Sequence, residues 1–203
     1  MIYMAEIKEN ITYYLSDKFQ LEDIEQRKLY LNTEVDESII DDIVYFILKF
    51  NSEDKGKETH ERQPIILYIN SPGGSISDGF ALIDTIINSK TPVYTVNLGT
   101  AYSMAFLVNL AGHKRFSYSF ATFLLHDGST FLYNSMSKVK DTAAFYAVLE
   151  EKIKNFVLSH SKMTSKEYDK KYGSEYYVFP EEAKEKGFCD FIIGKDCEID
   201  EII

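Results

Sequence analysis

At 203 residues and 45% hydrophobic content, the chain carries enough apolar side chains for one substantial core. Its formal charge of −10, from 22 Lys and Arg against 32 Asp and Glu, leaves few basic patches and argues against a nucleic-acid partner. The longest apolar stretch, Ala101 to Ala111, is too short to span a bilayer, and Met1 to Leu15 already contains Glu6, Lys8 and Glu9, unlike a signal peptide. The expectation is a cytoplasmic protein of one domain over residues 1–203, with no membrane partner. The two cysteines, Cys189 and Cys197, form no CxxC pair and no ligand set with the scattered histidines, so no metal is expected and Cys189 reads as a buried thiol. Walker and dinucleotide fingerprints are absent from the sequence, as are internal repeats, which leaves no sign of an organic cofactor.

In chain order, the charged run from Asn51 to Gln63 reads as a solvated surface loop. Ile65 to Ile69 is a run of strand formers bounded by Asn70-Ser71-Pro72-Gly73-Gly74, the pattern of a central parallel strand covered on both faces. A helix over Asp78 to Asn88 follows. Val93 to Leu98 reads as a second strand ending at Gly99, and Ala101 to Ala111 as an apolar helix stopped by Gly112. Thr122 to Leu125 is a short apolar strand that delivers His126 at its carboxyl end, before an Asp127-Gly128 turn. From Ser135 to His160, Met136, Val139, Ala143, Tyr146, Leu149, Ile153 and Val157 recur at helical spacing, which predicts a helix of about 25 residues, twice the usual length. A chain of this size has little core to offer such a stripe, so part of it is expected to pack on another subunit. Thr164-Ser165-Lys166-Glu167 is a capping box, Tyr176 to Phe179 a strand, and Pro180 the start of a helix that Gly187 stops.

Chemistry collects at the strand ends. Two adjacent glycines, Gly73 and Gly74, let the backbone come close to another group and leave amides pointing into a cleft. Ser103 lies at a strand-to-helix junction, where a serine can cap the helix or act as a nucleophile. In the second role the Met104 N–H, at the positive end of the helix dipole, joins the Gly74 N–H as an oxyanion hole. Of the four histidines, His126 has the right company to be the base; His60, His113 and His160 read as solvated or capping.

Several segments together resemble the proteolytic-subunit family of the Clp protease, the ClpP family, within the broader ClpP–crotonase superfamily. They are Tyr68-Ile69-Asn70-Ser71-Pro72-Gly73-Gly74-Ser75-Ile76, the helix containing Ile83-Asp84-Thr85-Ile86, Ala101-Tyr102-Ser103-Met104, Leu124-Leu125-His126, and Glu181 to Asp190. They recur in the family's order across residues 27 to 193. The resemblance implies an α/β fold of repeated β-β-α units, with a largely parallel sheet, an amino-terminal segment over 1–26 and a protruding handle helix over 135–160. It implies Ser103 as nucleophile, His126 as base, Gly74 and Met104 as oxyanion donors, and Gly73, Ser75 and Tyr102 beside the substrate.

Counted back from Pro180-Glu181-Glu182-Ala183, the position of the family's catalytic aspartate falls on Glu175, with Asp169 and Asp190 as alternatives. A glutamate can fill that role, because the triad is defined by what each group does. Tyr102 and Ala105 stand where the family has alanine and glycine. Asp127 to Tyr133 replaces Gln-Pro and a glycine-rich stretch, so peptide pairing by strand addition lacks its usual glycines. The implied function is a serine endopeptidase acting on unfolded polypeptides inside two stacked rings, heptameric by resemblance, with a separate AAA+ ATPase as partner and no cofactor. Two rivals accompany it: a non-catalytic ring subunit, and a crotonase-type acyl-CoA enzyme, which the Ser-His pair and the lack of a basic CoA-binding cluster oppose.

Overall fold

The structure, a computed structural model, describes residue 18 and residues 21–129 and 132–202. Most of the expected amino-terminal segment 1–26, and Thr130 and Phe131 after the histidine, lie outside the described residues. The elements run β1 (Lys28–Leu31), α1 (Tyr45–Glu53, entered through a π-helical turn at Ile40–Val44), β2 (Ile65–Ser71), α2 (Ile76–Asn88), β3 (Val93–Tyr102) and α3 (Met104–Leu110). They continue with β4 (Lys114–Ser117), β5 (Thr122–Leu125), α4 (Met136–His160), α5 (Ser165–Tyr172), β6 (Tyr176–Val178), α6 (Pro180–Lys186) and β7 (Phe191–Ile192).

Strands β1, β2, β3, β4 and β7 lie side by side in that order, each pair parallel. Parallel neighbours need crossovers, and α1, α2 and α3 supply the first three. The sheet forks at β3. Its first half, Tyr94 to Asn97, pairs with β4, and its end, Thr100 to Tyr102, pairs in parallel with β5. Strand β6 then closes antiparallel on β5. The result is a mixed α/β fold with a mostly parallel sheet, in which β4 and β5 run consecutively into the long helix α4.

One face of the sheet meets the helices in the larger core, where Leu31, Ile65, Leu67, Ile69, Leu82, Ile86, Phe106 and Phe123 are each at most 1% exposed. Ile66, Tyr68, Val96 and Phe116 bury the other face in a smaller cluster. Every residue of α3 is buried, which explains why its sequence shows no polar face.

Several boundaries differ from the sequence reading. Strand β3 does not end at Gly99; it runs to Tyr102, because the β2 partner resumes after a bulge (Ser71 opposite Ala101) while β5 takes up the other edge. Helix α3 accordingly starts at Met104 and ends at Leu110, with Ala111 as its C-cap and Gly112 one residue beyond and not left-handed. What demands glycine at 112 is the Thr95 side chain, which a Cβ there would overlap.

The run from Asn51 to Gln63 is not a plain solvated loop. Asp54 is fully buried against Arg27 and Thr91, and Arg62 is buried with its Nε donating to Lys57 O at 3.0 Å. Both buried charges there are paired or hydrogen-bonded, which is what makes their burial tolerable. No turn forms at Asp127-Gly128, which is irregular. On α4, only Ile153 and Val157 of the predicted stripe are buried, and Met136 is 75% exposed.

Candidate active site

Strands β2, β3 and β5 are parallel, so their carboxyl ends share one rim of the sheet. The glycine loop, Ser103 and His126 each follow one of those ends.

Ser103 has φ 52° and ψ −121°, a left-handed-side conformation that costs a non-glycine residue about 1–3 kcal/mol and persists only where neighbours over-determine it. Its N–H donates to Leu124 O at 3.1 Å, and its carbonyl accepts from Phe106 N at 3.0 Å, so strand β5 holds one side of the turn and α3 the other. The hydroxyl makes no capping bond to the helix, which separates it from the ordinary N-cap serine. Gly73 is what allows this turn to sit so close to the loop. At φ 94° it is in a glycine conformation, and a Cβ there would lie 2.7 Å from Ser103 Cβ and 2.8 Å from Met104 N. The Met104 side chain packs onto Gly79 of α2, which keeps the two helices in close contact.

The loop itself is held from outside. Val35 N donates to Gly73 O at 2.8 Å and Ser75 N donates to Val35 O at 2.7 Å, a one-residue parallel bridge centred on Gly74. That pattern leaves the Gly74 N–H without an acceptor among the described residues, as is also true of Met104 N at the start of α3. Two unsatisfied amides on one rim form a site suited to an anionic oxygen.

His126 is placed by register. On β5 and β6, Leu124 faces Tyr177 and Leu125 faces Tyr176; continued by one residue, the ladder sets His126 opposite Glu175. Directly opposed residues lie about 5 Å apart at Cβ, and His126 Nδ1 is 3.0 Å from Glu175 Oε1. Behind the ring, Asp127 N donates to Tyr172 O at 2.7 Å and ties the segment to α5. The other ring nitrogen, Nε2, is buried and has no partner among the described residues.

Ser103, His126, Gly74 and Met104 all border one cleft of about 350 Å³, with Leu107, Leu125 and Ile153 among its apolar walls. Gly73, Ser75 and Tyr102 do not border it. The Ser75 hydroxyl caps α2 by accepting from Asp78 N at 3.4 Å. Tyr102 points to the opposite side of the strand from buried Ala101, its hydroxyl 2.7 Å from Thr122 Oγ1 and its ring edge-on to Tyr177.

The alternative acids are engaged elsewhere: Asp169 with Lys154 at 2.7 Å, and Asp190 with Arg115, whose guanidinium reaches both of its oxygens. Among the remaining histidines, the His113 ring accepts from Val93 N at 3.1 Å and the His160 ring lies 2.9 Å from Phe156 O. Burial pushes the Cys189 thiol up to about 12 and leaves it inert. Among the described residues no three His, Cys, Asp or Glu side chains gather as a metal-ligand set, and no helix is long and apolar enough to cross a membrane. Glu34 and Tyr172 also line the cleft; neither lies in a motif that marks it in the sequence.

Fold and rim together define an α/β protein of ClpP–crotonase architecture, with a glycine loop and a strained serine turn facing one cleft. More narrowly, the chain belongs to the Clp protease family, a family of serine endopeptidases: the family model described as Clp protease matches residues 16–196. It is 33% identical over 173 residues to the ATP-dependent Clp protease proteolytic subunit 3 of Synechococcus sp. (strain CC9605), covering 83% of each chain. It is 28% identical over 183 residues to the ATP-dependent Clp protease proteolytic subunit 2 of Rhodococcus jostii (strain RHA1), covering 89% of this chain and 91% of the relative.

Proposed function

We propose that the chain is the proteolytic subunit of a Clp-type protease, hydrolysing peptide bonds through Ser103, His126 and Glu175. The observation that carries this reading is the environment of the serine. Its hydroxyl is left uncapped by a strained turn, in a cleft shared with a histidine whose Nδ1 is held by a carboxylate and whose Nε2 is unpartnered.

Ser103 Oγ attacks the scissile carbonyl while His126 Nε2 takes its proton. The carbonyl oxygen, now anionic, accepts from the Gly74 and Met104 amides. Collapse expels the amine, to which His126 returns the proton, and water then releases the acyl-enzyme by the same steps. Glu175 keeps Nδ1 protonated and stabilises the imidazolium.

The working form is an assembly, by family resemblance two stacked heptameric rings in the cytoplasm fed by a separate AAA+ ATPase, with residues 1–203 as one peptidase domain. On α4, Met136, Phe145 and Val148 are 75%, 62% and 70% exposed, apolar surface suited to covering by a facing ring. Because α4 and α5 precede β6, docking of that helix and placement of Glu175 are coupled.

The test is labelling of the assembled chain by a serine-directed fluorophosphonate, together with turnover of a fluorogenic peptide. Both activities are expected, and both disappear in Ser103→Ala. A folded, assembled wild-type chain that neither labels nor cleaves refutes the reading.

A further inference from the structure

Glu34 precedes Val35, whose amide and carbonyl both bond the glycine loop. That bridge fixes Glu34 over Gly74: a Cβ built on Gly74 would lie 2.8 Å from Glu34 Cγ. The side chain is exposed at the mouth of the cleft that Ser103 and His126 share. Among the described residues it is the one carboxylate that lines the cleft, and no lysine or arginine lines it. Among the described residues the Glu34 carboxylate has no ion-pair partner. On another wall, Tyr172 has its hydroxyl pushed above the usual phenol range, first by burial and then by the charges of Glu150 and Asp127. The mouth of the cleft therefore carries the unpaired charge of Glu34 over apolar walls.

A negative charge beside Gly74 acts against an oxyanion forming on the Gly74 amide, since like charges at short range repel. A positive charge on the substrate cancels that penalty and adds attraction of its own. The apolar walls of Leu107, Leu125 and Ile153 suit the methylene stem of a long cationic side chain, whose head stays at the mouth. We infer that Glu34 is a specificity-determining residue that selects peptides carrying lysine or arginine next to the scissile bond and disfavours acidic residues there. This rests on the serine-peptidase reading of the same cleft.

The experiment uses the assembled full-length chain and internally quenched peptides identical except for one residue flanking the scissile bond: lysine, norleucine or glutamate. Norleucine supplies the stem without the charge. The expected order of kcat/KM is lysine, norleucine, glutamate, with lysine about two- to fivefold above norleucine, the range for an exposed ion pair. The ratio shrinks at high ionic strength. Glu34→Gln brings the three peptides together and Glu34→Lys reverses their order, read as ratios within each variant, so that any general loss of activity divides out.

Equal turnover of lysine and norleucine peptides by a wild-type chain that labels at Ser103 overturns the role of Glu34 alone, as does a preference that survives in Glu34→Gln. Cleavage that persists in Ser103→Ala overturns the underlying peptidase reading instead.

Discussion

The carboxylate behind His126 offers the sharpest quantitative test. Glu175 reaches Nδ1 at 3.0 Å from a backbone fixed by the ladder Phe123–Val178, Leu124–Tyr177 and Leu125–Tyr176. Glu175→Ala deletes one hydrogen bond to a ring that, on the proposed mechanism, becomes charged in the transition state, worth about 1.5–3 kcal/mol, or about 10- to 150-fold in kcat/KM. The Glu175 side chain is 59% exposed, so water takes part of its place and the loss falls toward the lower end of that range.

Glu175→Asp is more revealing, because aspartate is what the family resemblance carries to this position. Removing one methylene withdraws the carboxylate by about 1.5 Å, a carbon–carbon bond length. The contact opens to about 4.5 Å, beyond hydrogen-bond range, and the β5–β6 ladder resists the shift that would close it. The aspartate variant is therefore expected to lose nearly as much as the alanine variant. The assay is kcat/KM on one fluorogenic peptide beside the second-order rate of fluorophosphonate labelling, with assembly checked by sedimentation. Wild-type activity in Glu175→Asp, or a loss under twofold in Glu175→Ala, refutes the register-based placement of the acid.

Two further outcomes follow from other parts of the structure. Asp54 is fully buried, and the Arg27 guanidinium, 2.5 Å from its Oδ2, holds its carboxyl well below the usual range, helped by Lys57 and Thr91 against the opposing effect of burial. Its folded value lies below the unfolded one of about 3.9, so its stabilisation is fully present above that pH and is lost as the pH falls toward the folded value. Thermal melts should show wild-type stability dropping steeply below about pH 4. Asp54→Asn, which leaves Arg27 buried without its counter-charge, should be less stable at neutral pH by about 3 kcal/mol and show a shallower acid limb; an unchanged limb counts against this assignment. Gly73→Ala puts a Cβ 2.7 Å from Ser103 Cβ at φ 94°, so the serine turn must move. A displacement of about 1 Å at the reacting group costs about 100-fold, measurable as labelling rate in a chain that still assembles, and near-normal labelling contradicts the packing described.

What the sequence makes legible is local. Ile65 to Ile69, the capping box at Thr164, and the Pro180 to Gly187 helix are each written in adjacent residues, and the structure shows them close to the expected bounds. The end of β3 is not legible, because Gly99 to Tyr102 is extended only through β2 and β5, partners about 30 and 20 residues away in sequence. Asp54 reads as one more charge in a polar run, since nothing nearby announces Arg27, 27 positions earlier, as its partner. Glu34 is invisible for the same reason: only the bridge between Val35 and Gly74 brings it to the cleft.

The rim is assembled from two units that share few bonds. Gly74, Ser103 and Met104 belong to β2, β3 and α3, locked by Val35 on one side and by the Gly73–Ser103 contact on the other. His126 and Glu175 belong to the β5–β6 ladder, which is tied to α5 through Asp127 and Tyr172. The units meet where Ser103 N donates to Leu124 O and where β5 pairs with the last three residues of β3; His126 Nε2 itself bonds to nothing described. On the proposed mechanism, a small rotation of the ladder passed on from α4 and α5 would change the distance from imidazole to hydroxyl without disturbing the Gly74 and Met104 amides. Disrupting the exposed apolar face of α4 should therefore slow both acylation by peptide and labelling by fluorophosphonate while leaving the Ser103 turn intact.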